Sequence, residues 1–292
     1  MARQAAEQHH RRAQAGLRAR VRPPSRPGGV RLGATEIAVQ SAIGRVVEIW
    51  RYPVKSMQGG RVATGHFTEQ GLDGDRRWAL RDVETGRLVS AKQNRLILEA
   101  SAALNGERLT ITLPDGRRLS PDDPDVDDLL SAWLGRQVAL EHAGPETSEA
   151  YEFYADPEDE TSEAIEFYTS EGSFMDAAAM HIITTAALAA ISADHPANQW
   201  DVRRFRPTLV VDAGGEGHVE DAWVGSSLRI GAVDVTVVSQ TIRCGMPGRG
   251  QPGLAVDGEV VRILKQDRRQ LLGVYTAIDT AGDISEGDAV LA

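Results

Sequence analysis

Val233-Asp-Val-Thr-Val-Val-Ser-Gln-Thr-Ile-Arg243 alternates its side chains at a period of two, the pattern of a β-strand with one face turned to a core. The run ends at Cys244 and gives way to Gly245-Met-Pro-Gly-Arg-Gly-Gln-Pro-Gly253. That composition is loop chemistry, so the thiol is expected at a strand exit facing a loop. The same β texture continues on both sides. Thr208–Asp212, Ser227–Ile230 and Gly273–Ile278 read as strands, as do Ile43–Trp50, Val62–Phe67, Arg77–Asp82, Leu109–Leu113 and Val138–Glu141. Glu84-Thr-Gly86 and Pro114-Asp-Gly116 supply hairpin turns. Leu129, Leu130, Trp133 and Leu134 have helical spacing ahead of Gly135, predicting a short helix with a glycine C-cap. Met180–Ile183 reads as a short strand, followed by a helix capped by Thr184 or Thr185 and running to about Asp194. Such a helix start can present N–H groups to an anion, a capped core helix being the plainer reading. The fold class expected is mainly β (α+β), a curled sheet or barrel with a few peripheral helices.

The chain has 292 residues, 41% hydrophobic and 25% charged, a globular mix that excludes wholesale disorder and fibrous repeats. A net charge of -10 argues against nucleic-acid binding through a general positive field. The first 40 residues run the other way, with eight Arg against Glu7 and Glu36. They lack apolar periodicity and a secretory h-region, so residues 1–41 are expected to form a flexible basic tail. Residues 142–174 carry an internal repeat, Glu146-Thr-Ser-Glu-Ala-Tyr-Glu-Phe-Tyr154 returning as Glu160-Thr-Ser-Glu-Ala-Ile-Glu-Phe-Tyr168. Its acidity suggests an exposed loop, although its Phe and Tyr positions could dock on a basic partner. The longest apolar stretch, Ala177–Ala193, is broken by His181, Thr184, Thr185 and Ser192, so no membrane span is expected.

Cys244 is the single cysteine, so no intrachain disulfide and no Cys-rich zinc site can form, and a cytoplasmic location is the natural expectation. The chain has no H-E-x-x-H, G-x-S-x-G or G-x-x-x-x-G-K-[ST] motif, which removes the simple cases for a zinc hydrolase, a serine hydrolase and a P-loop enzyme. Arg243 and Arg249 flank the cysteine and favour its thiolate. Further cations stand in turn contexts: Lys55 beside Ser56, Arg76 and Arg77, Lys92, and Arg203, Arg204 and Arg206 before Pro207. Together they could converge on an anionic ligand.

Tyr52-Pro-Val-Lys-Ser56, Gly74-Asp-Arg-Arg-Trp78, Val89-Ser-Ala-Lys-Gln93, Arg204-Phe-Arg-Pro-Thr208, Glu220-Asp-Ala-Trp223, Arg243-Cys244 and the tail Gly273-Val-Tyr-Thr-Ala277 with Gly287-Asp288 together resemble the MOSC family. The resemblance spans about residues 42–292. It implies an N-terminal MOSC β-barrel domain over 42–142, an acidic linker or insertion over 143–174, and a MOSC domain over 175–292 packed against the first. It is similar to the amidoxime-reducing branch of the family, which implies a molybdenum-cofactor oxidoreductase acting on N-oxygenated small molecules. By that resemblance Cys244 is the catalytic residue and the protein ligand of molybdenum, and Lys55, Ser56, Arg76, Thr184, Arg204, Arg206 and Arg243 bind the pterin and its phosphate. No cysteine remains for an iron–sulfur cluster. Electrons are therefore expected from a separate donor protein, a ferredoxin or a b-type cytochrome with its reductase. Pyridoxal phosphate is not expected, because nothing here supplies an aminotransferase-like domain. The chain departs from the family pattern at Thr208 and Ala187, which implies weaker cofactor binding, and in the Gly/Pro-rich loop after Cys244, which implies a different substrate. Two alternatives stand beside this reading: a sulfur carrier using a Cys244 persulfide, and a diverged cofactor-binding biosynthetic module without redox activity. His181 and Asp221 are the candidate proton donors.

Overall fold

In the computed structural model, which describes residues 41–154, 156–159 and 164–292, the alternating run forms the strand Val233–Ile242. The expected basic tail lies, except for Ser41, outside these residues. Val233, Val235, Val237, Ser239 and Thr241 form the buried face of that strand, as period two requires. Leu271–Thr280 and Ser227–Ile230 flank it antiparallel. The ladder continues through Met180–Thr184, Leu209–Ala213, Ala42–Arg51 and Ala289–Leu291 and returns to Ser227–Ile230, closing a seven-stranded barrel. Closure leaves no open edge among these staves, and Val46, Ile182, Val211, Val235, Val237, Val274 and Val290 fill the core.

The first strand of the N-terminal region is thus a stave of the barrel that residues 180–291 otherwise build. Ile49 pairs with Leu209 and Val46 with Val211, and a bulge lies between Val46 and Glu48. The run expected over Val62–Phe67 divides at Ala63. Gly60–Val62 adds to the barrel strand, while Thr64–Thr68 pairs with Gly282–Ser285.

Three α-helices occur among the described residues: α1, Val126–Leu134; α2, Thr185–Asp194; and α3, Gly258–Arg268. As expected, α1 ends at Gly135, whose φ of 66° lets its N–H reach the Ser131 carbonyl. α2 supplies part of the crossover that the parallel pair Met180–Thr184 and Leu209–Ala213 demands. α3 has no counterpart in the sequence reading. Its cap is Asp257, and Val260, Val261, Ile263 and Leu264 are its buried side. A second core gathers Val54, Met57, Leu80, Ile97, Leu109, Ile111, Leu130 and Val138 from the N-terminal sheets and α1. Each such fully buried aliphatic side chain contributes about 1.5–3 kcal/mol.

Where acidity suggested a loop, the repeat folds into an antiparallel ribbon, Ala150–Tyr154 against Ala164–Tyr168. Glu152 and Glu166, equivalent positions of the two copies, stand opposite each other. The alternating aromatic residues favour a strand pair strongly enough to override the acidic composition. Among the described residues no helix is long and apolar enough to cross a membrane.

Candidate functional site

Strand Val233–Ile242 delivers Arg243 and Cys244 to a cavity of about 200 Å³, lined from both the barrel and the N-terminal region. Cys244 is free and half-buried there. Seven basic side chains, those of Lys55, Arg76, Arg87, Lys92, Arg204, Arg206 and Arg243, line the cavity against two acidic ones, Asp176 and Glu166. In a chain of net charge -10 this is a local inversion of sign, and a low-dielectric cleft focuses such a field. Of the eight residues nominated from sequence, Lys55, Ser56, Arg76, Arg204, Arg206, Arg243 and Cys244 line the cavity. Thr184 does not.

One wall is built around Tyr52. Its ring is sandwiched between the guanidinium groups of Arg76, 4.3 Å from the centroid, and Arg206, at 4.2 Å. Burial pushes the Tyr52 phenol well above its ordinary pKa, so the sandwich is a neutral ring between two cations. Arg76 is further held by Asp75 and by the Arg206 carbonyl at 3.1 Å, and Arg206 Nη1 donates to the Met57 carbonyl at 2.7 Å. Burial, aided by Arg76, pulls the Arg206 guanidinium down to about 10, which still leaves it charged at neutral pH. Ser56, Arg76, Ala177 and Arg206 all have positive φ, between 47° and 69°. Four left-handed non-glycine residues around one cavity are conformational strain gathered at a site, each costing of order 1 kcal/mol.

The Lys55 ammonium donates to the Phe174 carbonyl at 2.8 Å and pairs with Asp176. Burial lowers its pKa, and Asp176 opposes that shift. Arg243 Nη2 donates to the Phe205 carbonyl at 2.7 Å and Nη1 to His181 Nε2 at 3.5 Å, while its Nε is buried without a partner among the described residues. Burial and the neighbouring Arg243 hold His181 well below its ordinary pKa. It is therefore a neutral imidazole, poorly suited to the proton-donor role considered for it. His181 fits because residue 273 is glycine: at φ 82°, a Cβ there would stand 2.4 Å from His181 Nε2.

Arg204 lines the cavity, but its guanidinium serves the protein. It donates to the carbonyls of Gln199, Pro247, Arg249 and Ala255 at 2.8–3.2 Å. Three of these acceptors follow Cys244 in the chain. Arg249 is absent from the lining and donates instead to the Lys92 carbonyl. Asp221, the other proton-donor candidate, is also absent and is bound by Arg268 at 2.6 Å.

Thr184 caps α2, its Oγ1 accepting the Ala187 N–H at 3.1 Å and donating to Glu220 Oε2 at 2.6 Å. The Ala187 N–H is thus capped by the chain's own hydroxyl, and Thr184 stands outside the cavity lining. Burial raises the pKa of fully enclosed Glu220, against the opposing Thr184 bond. A carboxyl raised on folding contributes stability that is complete below its unfolded pKa and is lost as pH rises through the folded value. Glu220→Gln, which stays neutral, should therefore raise Tm relative to wild type at about pH 8, with the gap narrowing toward about pH 4. A gap independent of pH in thermal denaturation would refute this.

Phe174, Asp176 and Arg87 have no place in the reading of the residues, whereas Lys92 is one of its convergent cations, Tyr275 stands inside a quoted motif and Tyr151 inside the acidic repeat; Asp176 carries no signal, since its partner Lys55 is distant in sequence.

Fold and site together define a β-barrel protein whose basic cavity opens on one thiol. The profile of the MOSC domain matches residues 169–291 and that of the MOSC N-terminal beta barrel domain residues 43–139, and the chain belongs to the MOSC domain family. It is similar to mitochondrial amidoxime reducing component 2 of Homo sapiens, 27% identical over 285 residues, covering 85% of this chain and 83% of that protein. Mitochondrial amidoxime-reducing component 1 of Homo sapiens is 23% identical over 294 residues, covering 85% and 82%. Among solved structures, the YUAD protein from Bacillus subtilis superposes with a TM-score of 0.43 at 9% identity, over 87% of this chain and 97% of that one.

Proposed function

We propose that this chain is a molybdenum-cofactor-binding oxidoreductase that reduces N-oxygenated small molecules with electrons from a separate donor protein. The observation that carries the proposal is one soft thiol set in a cavity lined by seven basic side chains. The residues fit the group. A pterin phosphate is dianionic and wants cations, Arg243 Nε is a buried donor lacking a partner among the described residues, and thiolate suits a soft metal site. No cluster of three His, Cys, Asp or Glu able to hold a metal occurs among the described residues, so a metal at Cys244 takes its remaining ligands from a cofactor.

In this reading Lys55, Ser56, Arg76 and Arg206 hold the pterin and its phosphate, Arg243 adds its free donor, and Cys244 is the protein ligand. When bound, the cofactor supplies two-electron redox chemistry. Overall, an N-hydroxylated compound takes up two electrons and two protons and yields its reduced form and water. The protein fixes the thiol at the strand exit and supplies positive charge. His181 stays neutral and holds the orientation of Arg243.

The test is molybdenum and pterin content of protein made in a host that synthesises the cofactor. Near-stoichiometric content is expected in the wild type, and Lys55→Ala and Arg206→Ala should lose cofactor on desalting. No metal and no pterin in the wild type would overturn the proposal.

A further inference from the structure

The acidic tandem repeat takes no part in that function, yet its ribbon forms part of the cavity wall through Tyr151, Tyr154 and Glu166. The Tyr151 ring lies 5.4 Å from Lys55 Nζ and 5.6 Å from Lys92 Nζ, within the basic part of the cavity that also holds Cys244. The ribbon is tied on two sides. Next to its first strand, Glu149 receives Arg81 Nη2 at 2.9 Å, and Arg81 also binds Glu141 of the N-terminal region. Beyond that strand, both oxygens of Asp156 accept from Lys265 Nζ at 2.8 Å, and Glu158 accepts from it at 2.9 Å. Lys265 belongs to α3, the helix that follows the Cys244 loop.

We propose that the ribbon is a lid: Tyr151 sets the size of molecule that reaches Cys244, and the ion pairs of Lys265 with Asp156 and Glu158 hold the lid closed. Lys265, Asp156 and Glu158 are all more than a third exposed. Pairs of that kind are weak and screened by salt. A latch of this strength keeps a lid closed most of the time and still lets it open in each catalytic cycle. The acidic segment between the two copies then has a role, since its Asp156 and Glu158 supply the latch. The lid concerns the cavity itself and holds whichever cofactor occupies it.

Because Cys244 is the sole cysteine, its alkylation rate reports access directly. The full chain, made in a host lacking the cofactor, is treated with iodoacetamide as a small probe and with fluorescein maleimide as a bulky one. Tyr151→Ala should accelerate the bulky reagent about tenfold more than the small one, and Lys265→Ala should accelerate the bulky reagent about fivefold at low salt. Rising salt should bring the wild type toward the Lys265→Ala rate. The exchanged pair Lys265→Asp with Asp156→Lys should restore slow labelling. Bulky-probe rates equal to wild type in Lys265→Ala, or an equal gain for both probes in Tyr151→Ala, would overturn the lid. Lys265 is a surface residue, so its substitution leaves the fold available for the measurement.

Discussion

Cys244→Ala should lose reduction of N-hydroxylated compounds by about 10³-fold or more in kcat, while the thermal transition stays where it is. The two halves of this expectation come from different observations. Cys244 is half-buried and belongs to none of the core clusters, so removing one sulfur leaves no void and costs within about 0.5 kcal/mol. Its position is fixed by other groups: Arg243 N–H donates to the Gln270 carbonyl at 2.6 Å and Arg243 Nη2 to the Phe205 carbonyl. The alanine protein therefore keeps the cavity, with its basic wall, and lacks only the soft donor. Cys244→Ser should not rescue, because a hydroxyl is a harder ligand and remains protonated near neutral pH. Steady-state turnover with a reducing donor, read beside the melting curve, checks both halves. Full activity in Cys244→Ala would remove the thiol from the reaction. The sulfur-carrier alternative predicts something different: a wild type without molybdenum whose Cys244 releases sulfur to cyanide.

How far the sequence could be read depended on the range of the interaction involved. Strand Val233–Ile242 and the strand-to-helix turn at Thr184 rest on period, capping chemistry and neighbouring residues, and these were legible. Barrel closure rests on pairing Val46 with Val211, a contact distant in sequence that no local pattern encodes. α3 escaped because its apolar stripe, Val260, Val261, Ile263 and Leu264, is only four residues long and is preceded by Gly258, although its spacing is helical. The acidic repeat misled because composition spoke for a loop while alternation spoke for a ribbon. Within the site, residue type was legible and direction was not. Lys55, Arg76, Arg206 and Arg243 look like Arg204 in a list of cations, but only the fold shows that Arg204 is committed to four carbonyls. Thr184 was correctly placed at a helix start, and Glu220, far along the chain, accepts its hydroxyl.

Arg204→Ala should lower stability by about 3–5 kcal/mol, or Tm by roughly 10 °C for a chain of this size. The loop after Cys244 contains Gly245, Gly248, Gly250 and Gly253, with Pro247 and Pro252, so it has high backbone entropy and lacks two N–H donors of its own. Its own backbone bonds are local: the Gly248 and Arg249 N–H groups reach the Gly245 and Met246 carbonyls, and Gln251 pairs with Leu254. Arg204, a residue only 1% exposed, binds the carbonyls of Pro247, Arg249 and Ala255 through its guanidinium and ties them to Gln199. Packing completes the arrangement at Gly248, where a Cβ would stand 2.9 Å from the Val261 side chain of α3. Alanine at 204 leaves four acceptors facing a void, and each unmet buried acceptor costs about 1–3 kcal/mol before relaxation. Lysine has three donors and no planar fork, so Arg204→Lys should recover part of the loss and no more. Arg204 is a positioning residue, and a stability change alone would not show that. Well below the melting transition, iodoacetamide should alkylate Cys244 faster in Arg204→Ala than in the wild type, because the thiol then sits on a loosened loop. An unchanged rate beside a lowered Tm would assign Arg204 to the fold alone.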